Sequence, residues 1–293
     1  MEALVIGGSG FLGGYLTKFF NCKGTSNSDK PGFVNLDICN YDSVDKVLKK
    51  TLPEVVINAA AMTNVDECEV KKDLAFRING DAVGTIAKIS KEINAKFVQI
   101  STDYVFDGSK GNYTETDKTN PINVYGKSKE IGEENALKYS GVVIRITAPF
   151  GINYSQNKST FFDLIINKLR NNATVNAVTD QYNAPTFIKD VGPAIKTIID
   201  RNLDGIFHLA VNERLSRYDF ATKVAKTYGL NIDNILPIRM TSLPSFKANR
   251  PIDTSMSINK IKSIFKLKSV VECLIEIRDE VKAFYNLELK TSL

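Results

Sequence analysis

The stretch Gly7-Gly-Ser-Gly-Phe-Leu-Gly13 constrains this chain more than any other. It separates an apolar β-branched run, Ala3-Leu-Val-Ile6, from a segment of helical periodicity, Phe11 to Phe20. Glycines in such a place allow a tight strand-to-helix turn and close approach of another group to the backbone. The helix that follows offers exposed amides and the positive end of its dipole to an anion. Gly8, Gly10 and Gly13 satisfy the G-x-G-x-x-G spacing, and Gly7, Gly10 and Gly13 satisfy its variant with a wider first step. In this context the pattern predicts a dinucleotide pyrophosphate against Gly7, Gly10, Phe11, Leu12 and Gly13, with a plain glycine-rich turn as the alternative.

The alternation continues through the first half. Val55-Val-Ile57, Phe97-Val-Gln-Ile100 and Val142-Val-Ile-Arg-Ile146 read as buried strands, with helix-like stretches near 73–93 and 122–139 between them. Apolar strands joined by helices predict a parallel sheet covered on both faces, hence an α/β, doubly wound, Rossmann-like core. After about residue 148 the rhythm changes. A helix-like segment at 160–171 and a short run Thr174–Val178 precede a helix near 189–201 and a strand Gly205–Leu209. Helices near 216–228 and 270–285 follow, with Pro237, Pro244 and Pro251 breaking the loop between them. The expected division is a nucleotide-binding domain of residues 1–148 plus 187–211, and a smaller mixed α/β substrate domain of residues 149–186 plus 212–293.

Composition excludes several function classes. Of 293 residues, 43% are hydrophobic and 24% charged, ordinary values for a globular chain. The net charge of +5 comes from 38 basic and 33 acidic residues spread along the sequence, without the basic block of a nucleic-acid-binding arm. Cys22, Cys39, Cys68 and Cys273 form no CxxC pair, which argues against a disulfide framework and against a zinc site, so no metal is expected. No signal-peptide pattern opens the chain and no apolar run approaches ~20 residues. The expectation is a cytoplasmic protein with reduced thiols and no membrane or nucleic-acid partner.

The segment about twenty residues past the glycines, Lys23-Gly-Thr-Ser-Asn-Ser-Asp-Lys30, places small hydroxyl and amide side chains between two lysines. Asn27 and Ser28 there suit a ribose 2′-phosphate better than an obligatory carboxylate would, so NADPH is favoured over NADH, unless 21–32 is simply a solvated loop. Asp37 and Ile38 are candidates to cap the adenine; an Asp opening a turn is the competing reading. Ala59, Ala60 and Ala61, after Asn58, are small enough for a cofactor, or equally for a packed helix, to approach.

Tyr125-Gly-Lys-Ser-Lys129 puts a phenol and an ammonium at i and i+4, on one helical face. A phenol with a pKa of ~10 is protonated at neutral pH and can donate to an oxygen becoming an alkoxide, and a neighbouring lysine favours the tyrosinate left behind. Spacing alone is weak evidence. Ser101-Thr102-Asp103 strengthens it, because these residues follow an apolar run at what should be the carboxyl end of a strand, where open α/β sheets bind ligands. Thr102 is placed to donate to a substrate carbonyl.

With these residues in view, the chain resembles the extended short-chain dehydrogenases/reductases, on the glycine loop, Asn58-Ala-Ala-Ala61, Ser101-Thr-Asp-Tyr-Val-Phe-Asp-Gly108 and Tyr125-x-x-x-Lys129. More narrowly it resembles the dTDP-4-dehydrorhamnose reductase family, on Asp180-Gln-Tyr-Asn-Ala-Pro-Thr186 and Arg250-Pro-Ile-Asp-Thr254 as well. The resemblance implies a catalytic set of Thr102, Tyr125 and Lys129, with Tyr125 and Lys129 also at the cofactor. It implies Asp103, Val105, Phe106 and Arg250 on the substrate side, and a dTDP-linked 4-keto-6-deoxy sugar as substrate, with a homodimer left open. Asn183 stands where the family usually has glycine, and Ser257 where it usually has an acid or asparagine, so the substrate side departs from the pattern. Tyr104 follows Thr102-Asp103 where sugar-nucleotide 4,6-dehydratases resemble one another in a glutamate, which disfavours dehydration. A nucleotide-sugar epimerase and a non-catalytic NADP-binding protein similar to the regulatory subunit of methionine adenosyltransferase are the alternatives.

Four features carry plainer expectations. His208, the only histidine, is expected packed and hydrogen-bonded in a strand; Phe19-Phe20 and Phe161-Phe162 are expected in the core. The run Glu130 to Glu134 is expected on the solvated face of the Tyr125 helix. Arg250 is expected either at a substrate pyrophosphate or in a salt bridge.

Overall fold

The computed structural model describes residues 1–155, 159–243 and 246–287. The chain begins β1 (Ala3–Ile6), α1 (Phe11–Phe19), β2 (Lys23–Ser26), β3 (Phe33–Asn35), α2 (Tyr41–Thr51) and β4 (Val55–Asn58). Next come α3 (Val65–Val70), α4 (Lys72–Phe76), a π-helical turn (Arg77–Asp81), α5 (Ala82–Glu92), β5 (Lys96–Thr102), α6 (Val124–Lys138) and β6 (Val142–Ile146). These strands and one later strand, β9 (Gly205–His208), form a seven-stranded sheet in the order β3-β2-β1-β4-β5-β6-β9, every neighbouring pair parallel. The doubly wound Rossmann-like expectation therefore holds. Order reverses between β1 and β4, the switch point at which such sheets bind ligands beyond their strands' carboxyl ends. All four residues of β1 and of β4 are buried, as strands covered on both faces must be.

The second half contains α7 (Phe161–Arg170), β7 (Val175–Val178), β8 (Tyr182–Asn183), α8 (Ile188–Asp200), β9 (Gly205–His208), β10 (Leu215–Ser216), α9 (Arg217–Tyr228) and β11 (Ile235–Ile238). It ends with α10 (Asn259–Lys262), α11 (Val270–Glu276) and α12 (Arg278–Tyr285). One buried cluster fills the sheet's α1 and α8 side, another its α2 and α5 side. A further cluster, including Phe150, Phe162, Phe187, Phe220 and Tyr228, joins α7, α9, α11 and α12 beyond the sheet. β7 pairs with β11 there, and β8 with β10.

Several expectations are corrected. Residues 270–285 form two helices, with Ile277 between them. Pro237 breaks nothing: it stands exposed inside β11, in a two-stranded ribbon where the lost amide donor is tolerated. Pro244 lies outside the described residues. Phe19 is 38% exposed, because its ring covers Gly192 of α8 from the surface rather than entering the core. Glu133 is only 3% exposed, so the acidic run of α6 is not wholly a solvated face.

Helix α6 lies unusually close to its neighbours. A Cβ at Gly126 would fall 2.1 Å from the Tyr104 carbonyl oxygen, and one at Gly132 would fall 2.2 Å from that of Asn79 in the π turn. The Asn79 side chain fastens the same junction, donating to Ser128 Oγ at 3.0 Å and to the Met62 carbonyl at 3.1 Å. Gly132→Ala should therefore push α6 off the π turn and destabilise the protein by about 1–3 kcal/mol or more, as overpacked cores do. A urea unfolding midpoint equal to that of the parent would contradict this account of the packing.

Candidate active site

The loops that leave β1 and β4 meet at the switch point. Gly7 has φ of +77°, and a Cβ there would fall 2.7 Å from the Ala60 amide nitrogen. A Cβ at Gly13 would fall 2.1 Å from the Gly7 carbonyl oxygen, and one at Gly8 would fall 2.7 Å from Gly24 Cα of β2. These three glycines are required by protein packing. Gly10 is different: a Cβ there would meet only the Gly7 carbonyl, at an ordinary 3.4 Å. Its bare face opens into a cavity of about 520 Å³, which Phe11, Leu12 and Gly13 also line. Gly10 is the N-cap of α1 and provides no side-chain cap, so the helix presents unsatisfied amides there.

Further around the rim, Thr25 and Ser26 at the end of β2 turn toward the same loop. Thr25 Oγ1 accepts from the Gly7 amide at 3.2 Å, and Ser9 Oγ donates to Ser26 Oγ at 3.1 Å. Ser28 lies 3.2 Å from Ser26 hydroxyl to hydroxyl and, with Asn27, is exposed just beyond β2. The Asp37 carboxylate accepts from the Cys39 amide at 2.9 Å, as an Asp opening a turn does, and Ile38 is buried in the core. Ala59 and Ala61 line the cavity, whereas Ala60 is turned against Gly7.

The cavity's reactive wall is built where β5 and α6 end side by side. Thr102 closes β5, and α6 begins at Val124 behind an Asn123 cap whose Oδ1 accepts from the Gly126 amide at 2.8 Å. Tyr125 and Lys129 are thereby turned to the same wall as Thr102 and Asp103. Tyr125 is hydrogen-bonded to Thr102 and packs edge-on against Tyr104 with ring centroids 5.8 Å apart. Burial raises the Tyr125 phenol and outweighs the Thr102 hydrogen bond, so the hydroxyl is held as a proton donor. Lys129 donates to the Ile100 carbonyl at 2.7 Å rather than to the phenol, and burial brings its ammonium down to about 8 against the opposing pull of Glu133.

Asp103 is 3% exposed and sits among three threonine hydroxyls. Thr102 donates to it at 3.1 Å and Thr147 at 2.9 Å, and Thr254 completes the set. Burial raises its carboxyl above the usual range despite these hydrogen bonds. Thr147 and Thr254 had a legible signal. Thr147 directly follows β6, whose last residue Ile146 is in register with Thr102, and Thr254 ends the Arg250–Thr254 segment.

The far wall comes from the second half. Gln181, Tyr182, Arg217 and Phe161 face the cavity, with Arg217 over the Phe161 ring at 5.0 Å. Arg217 opens α9 behind a Ser216–Asp219 capping box, a signal of helix start but not of function. Two substrate-side expectations are corrected here. Val105 and Phe106 are fully buried and turn into the sheet's core, Phe106 stacking on Tyr113 at 4.1 Å, because the short helical turn after Asp103 points them away from the cavity. Arg250 also lies off the cavity wall. It takes the salt-bridge reading, donating to Asp66 at 2.9 Å and lying over Phe246 at 4.6 Å. His208 is fully buried and hydrogen-bonded, as expected. Among the described residues no helix is long and apolar enough to cross a membrane, and no cluster of His, Cys, Asp or Glu forms a metal site.

Comparison with known proteins bears on the site as a whole. A family model described as RmlD substrate binding domain matches residues 1–283. A dTDP-4-dehydrorhamnose reductase of Aggregatibacter actinomycetemcomitans is 32% identical over 279 residues, covering 90% of this chain and 93% of that one. Methionine adenosyltransferase 2 subunit beta of Bos taurus is 29% identical over 277 residues, covering 90% and 82%. The crystal structure of a dTDP-4-dehydrorhamnose reductase from Bacillus anthracis in complex with NADP is 27% identical, with a TM-score of 0.86 over 96% of this chain and 100% of that one.

The raised Asp103 carboxyl has a sign that stability measurements can read. Above the ordinary carboxylate pKa of ~4 the folded protein holds this proton more tightly than the unfolded chain, so the group's contribution to stability falls as pH rises through that window toward the folded-state value. Asp103→Asn removes that component, and its unfolding free energy should decline less from about pH 4 to pH 7 than the parent's. Parallel pH profiles for the two proteins would contradict the assignment.

Proposed function

The chain belongs to the RmlD substrate-binding-domain family, that of the dTDP-4-dehydrorhamnose reductases, and on that premise we propose that it reduces the 4-keto group of a dTDP-linked 6-deoxy-hexose with NADPH. The observation that carries the reading is that Thr102, Tyr125 and Lys129 share one cavity with the open face of Gly10. The loop residues fit a dinucleotide: Gly10 is bare without any packing need, and the uncapped N-terminus of α1 suits a pyrophosphate. Ser26, Asn27 and Ser28 would surround the adenosine ribose and leave room for a 2′-phosphate. When bound, the reduced nicotinamide supplies a hydride to the carbonyl carbon.

The chain's own residues supply the rest. Thr102 orients the substrate carbonyl, and Tyr125 gives its proton to the oxygen as negative charge develops there. The Lys129 ammonium, held against the Ile100 carbonyl, balances the phenolate that remains and is assigned the nicotinamide ribose as well. Before substrate binds, Asp103 accepts the single Thr102 proton, and the hydroxyl turns that proton to the substrate carbonyl on binding. Arg217, rather than Arg250, is assigned the sugar diphosphate, since its guanidinium belongs to the cavity wall. Residues 149–186 and 212–293 form the nucleotide-sugar side in this reading, and 1–148 with 187–211 the cofactor side.

Mixing the protein with NADPH and a dTDP-4-keto-6-deoxy sugar should consume the reduced cofactor's near-ultraviolet absorbance stoichiometrically. Tyr125→Phe should lower kcat by about 10²- to 10⁴-fold; a variant as active as the parent would overturn the assignment. The likeness to methionine adenosyltransferase 2 subunit beta favours a second reading, a cofactor-binding subunit without turnover. Tight NADPH binding with no loss of absorbance would decide for it. In either case Ser28→Asp should lower the affinity for NADPH relative to NADH by about tenfold or more, roughly 1.4 kcal/mol, because a carboxylate repels the 2′-phosphate. An unchanged ratio from fluorescence titration would show that Ser28 is not at that site.

A further inference from the structure

Glu133, Arg145 and His208 form a buried polar chain to which the chemistry above assigns no part. They are 3%, 2% and 0% exposed and come from α6, β6 and β9 respectively. The guanidinium grips the carboxylate with two parallel bonds, Nε to Oε1 at 2.9 Å and Nη2 to Oε2 at 2.6 Å. Its Nη1 lies 3.2 Å from His208 Nε2. A guanidinium only donates, so Nε2 is the acceptor and the ring proton is on Nδ1, which donates to the Tyr113 carbonyl at 3.1 Å. Burial, reinforced by Arg145, brings the imidazole down to about 3, so it stays a neutral acceptor around neutral pH.

A buried ion pair is a poor way to gain stability, since well-packed apolar residues often serve as well or better. This one stands where it can act on the reacting residues. Glu133 follows Lys129 by four residues and Tyr125 by eight, along the buried stripe of α6. Arg145 is in register with Ser101, the residue before Thr102. The titratable and charged groups packed around this stripe are Tyr125 and Glu133 on α6, Asp103 and Tyr104 beyond β5, Arg145 on β6, His208 on β9 with Glu115 at its amide, and Cys68 and Glu69 on α3, Glu69 accepting from the Val124 amide. The Glu133 carboxylate is the one that opposes the effect of burial on the ammonium.

We propose that Glu133, fixed by its two bonds to Arg145 with His208 behind it, is a positioning residue for Lys129, one helical turn away on the buried stripe of α6. The proposal rests on the reductase reading only for its effect on turnover. Removing the carboxylate leaves burial unopposed, so Lys129 loses its proton at lower pH. The charge that balances the Tyr125 phenolate is then lost earlier as pH rises.

The test is a pH titration of the full chain carrying lysine labelled with carbon-13 at Cε, followed by NMR, with Lys129→Arg identifying the signal. The parent midpoint should lie near 8, and Glu133→Gln should lower it by about one pH unit or more. Because Glu133→Gln leaves a buried guanidinium without its counter-charge, Arg145→Gln and the double variant Glu133→Gln/Arg145→Gln complete a cycle in which the step from the single Arg145 variant to the double variant isolates the carboxylate's effect on Lys129. Where NADPH and the keto-sugar are turned over, the alkaline limb of kcat/KM should move in the same direction. An unchanged Lys129 midpoint on replacing Glu133, both in the parent and in the Arg145→Gln background, overturns the positioning role. A lowered midpoint in a protein that turns over no keto-sugar supports that role while sinking the reductase reading.

Discussion

Everything reactive in this molecule depends on how closely α6 approaches the sheet and the π turn. Gly126 and Gly132 allow backbone to touch backbone, with the Tyr104 and Asn79 carbonyls where side chains would otherwise stand. That contact fixes the height and rotation of a helix whose exposed face is unremarkable and whose buried face carries Tyr125, Lys129 and Glu133. An ordinary helix-to-sheet separation would leave Lys129 short of the Ile100 carbonyl and Tyr125 short of Thr102. The chemistry is therefore specified as much by two missing side chains as by the functional ones.

Burial then gives each ionisable group a different character. Tyr125 is kept protonated, Lys129 is brought down toward neutrality, and Asp103 is raised while three hydroxyls restrain it. His208, equally deep, is neutral and serves as an acceptor. These differences arise from desolvation and from which neighbour is a full charge and which only a dipole. The same low-dielectric wall thus holds a proton donor, a cation and a restrained acid within a few residues of one another.

Much of this was legible in the sequence where local pattern and global fold agree. Strands β1, β4, β5 and β6 are apolar, largely β-branched runs between glycines and helical periods, whereas β2, Lys-Gly-Thr-Ser, has no such pattern; Gly7–Gly13 has one role in strand, turn and helix together. Tyr125 and Lys129 were legible from helical spacing, supported by Thr102 at a strand end. What was not legible depended on direction rather than identity. Val105 and Phe106 belong to the same motif as Asp103, yet one turn of 3₁₀ helix sends them into the core. Glu133 reads as surface because charged residues surround it, and only the partner on β6, twelve residues later, makes its burial tolerable. Arg250 pairs with Asp66 across 184 positions, a contact no local pattern encodes.

The glycine loop contains two kinds of glycine, with different histories open to them. Gly7 and Gly13 are demanded by neighbouring backbone, so any descendant that keeps the fold must keep them. Gly10 answers to nothing inside the protein beyond an ordinary contact with the Gly7 carbonyl. A lineage that gave up its dinucleotide would be free to let that position drift while the loop held its shape. Its state in a descendant is therefore a marker of ancestry in binding, separable from ancestry in fold.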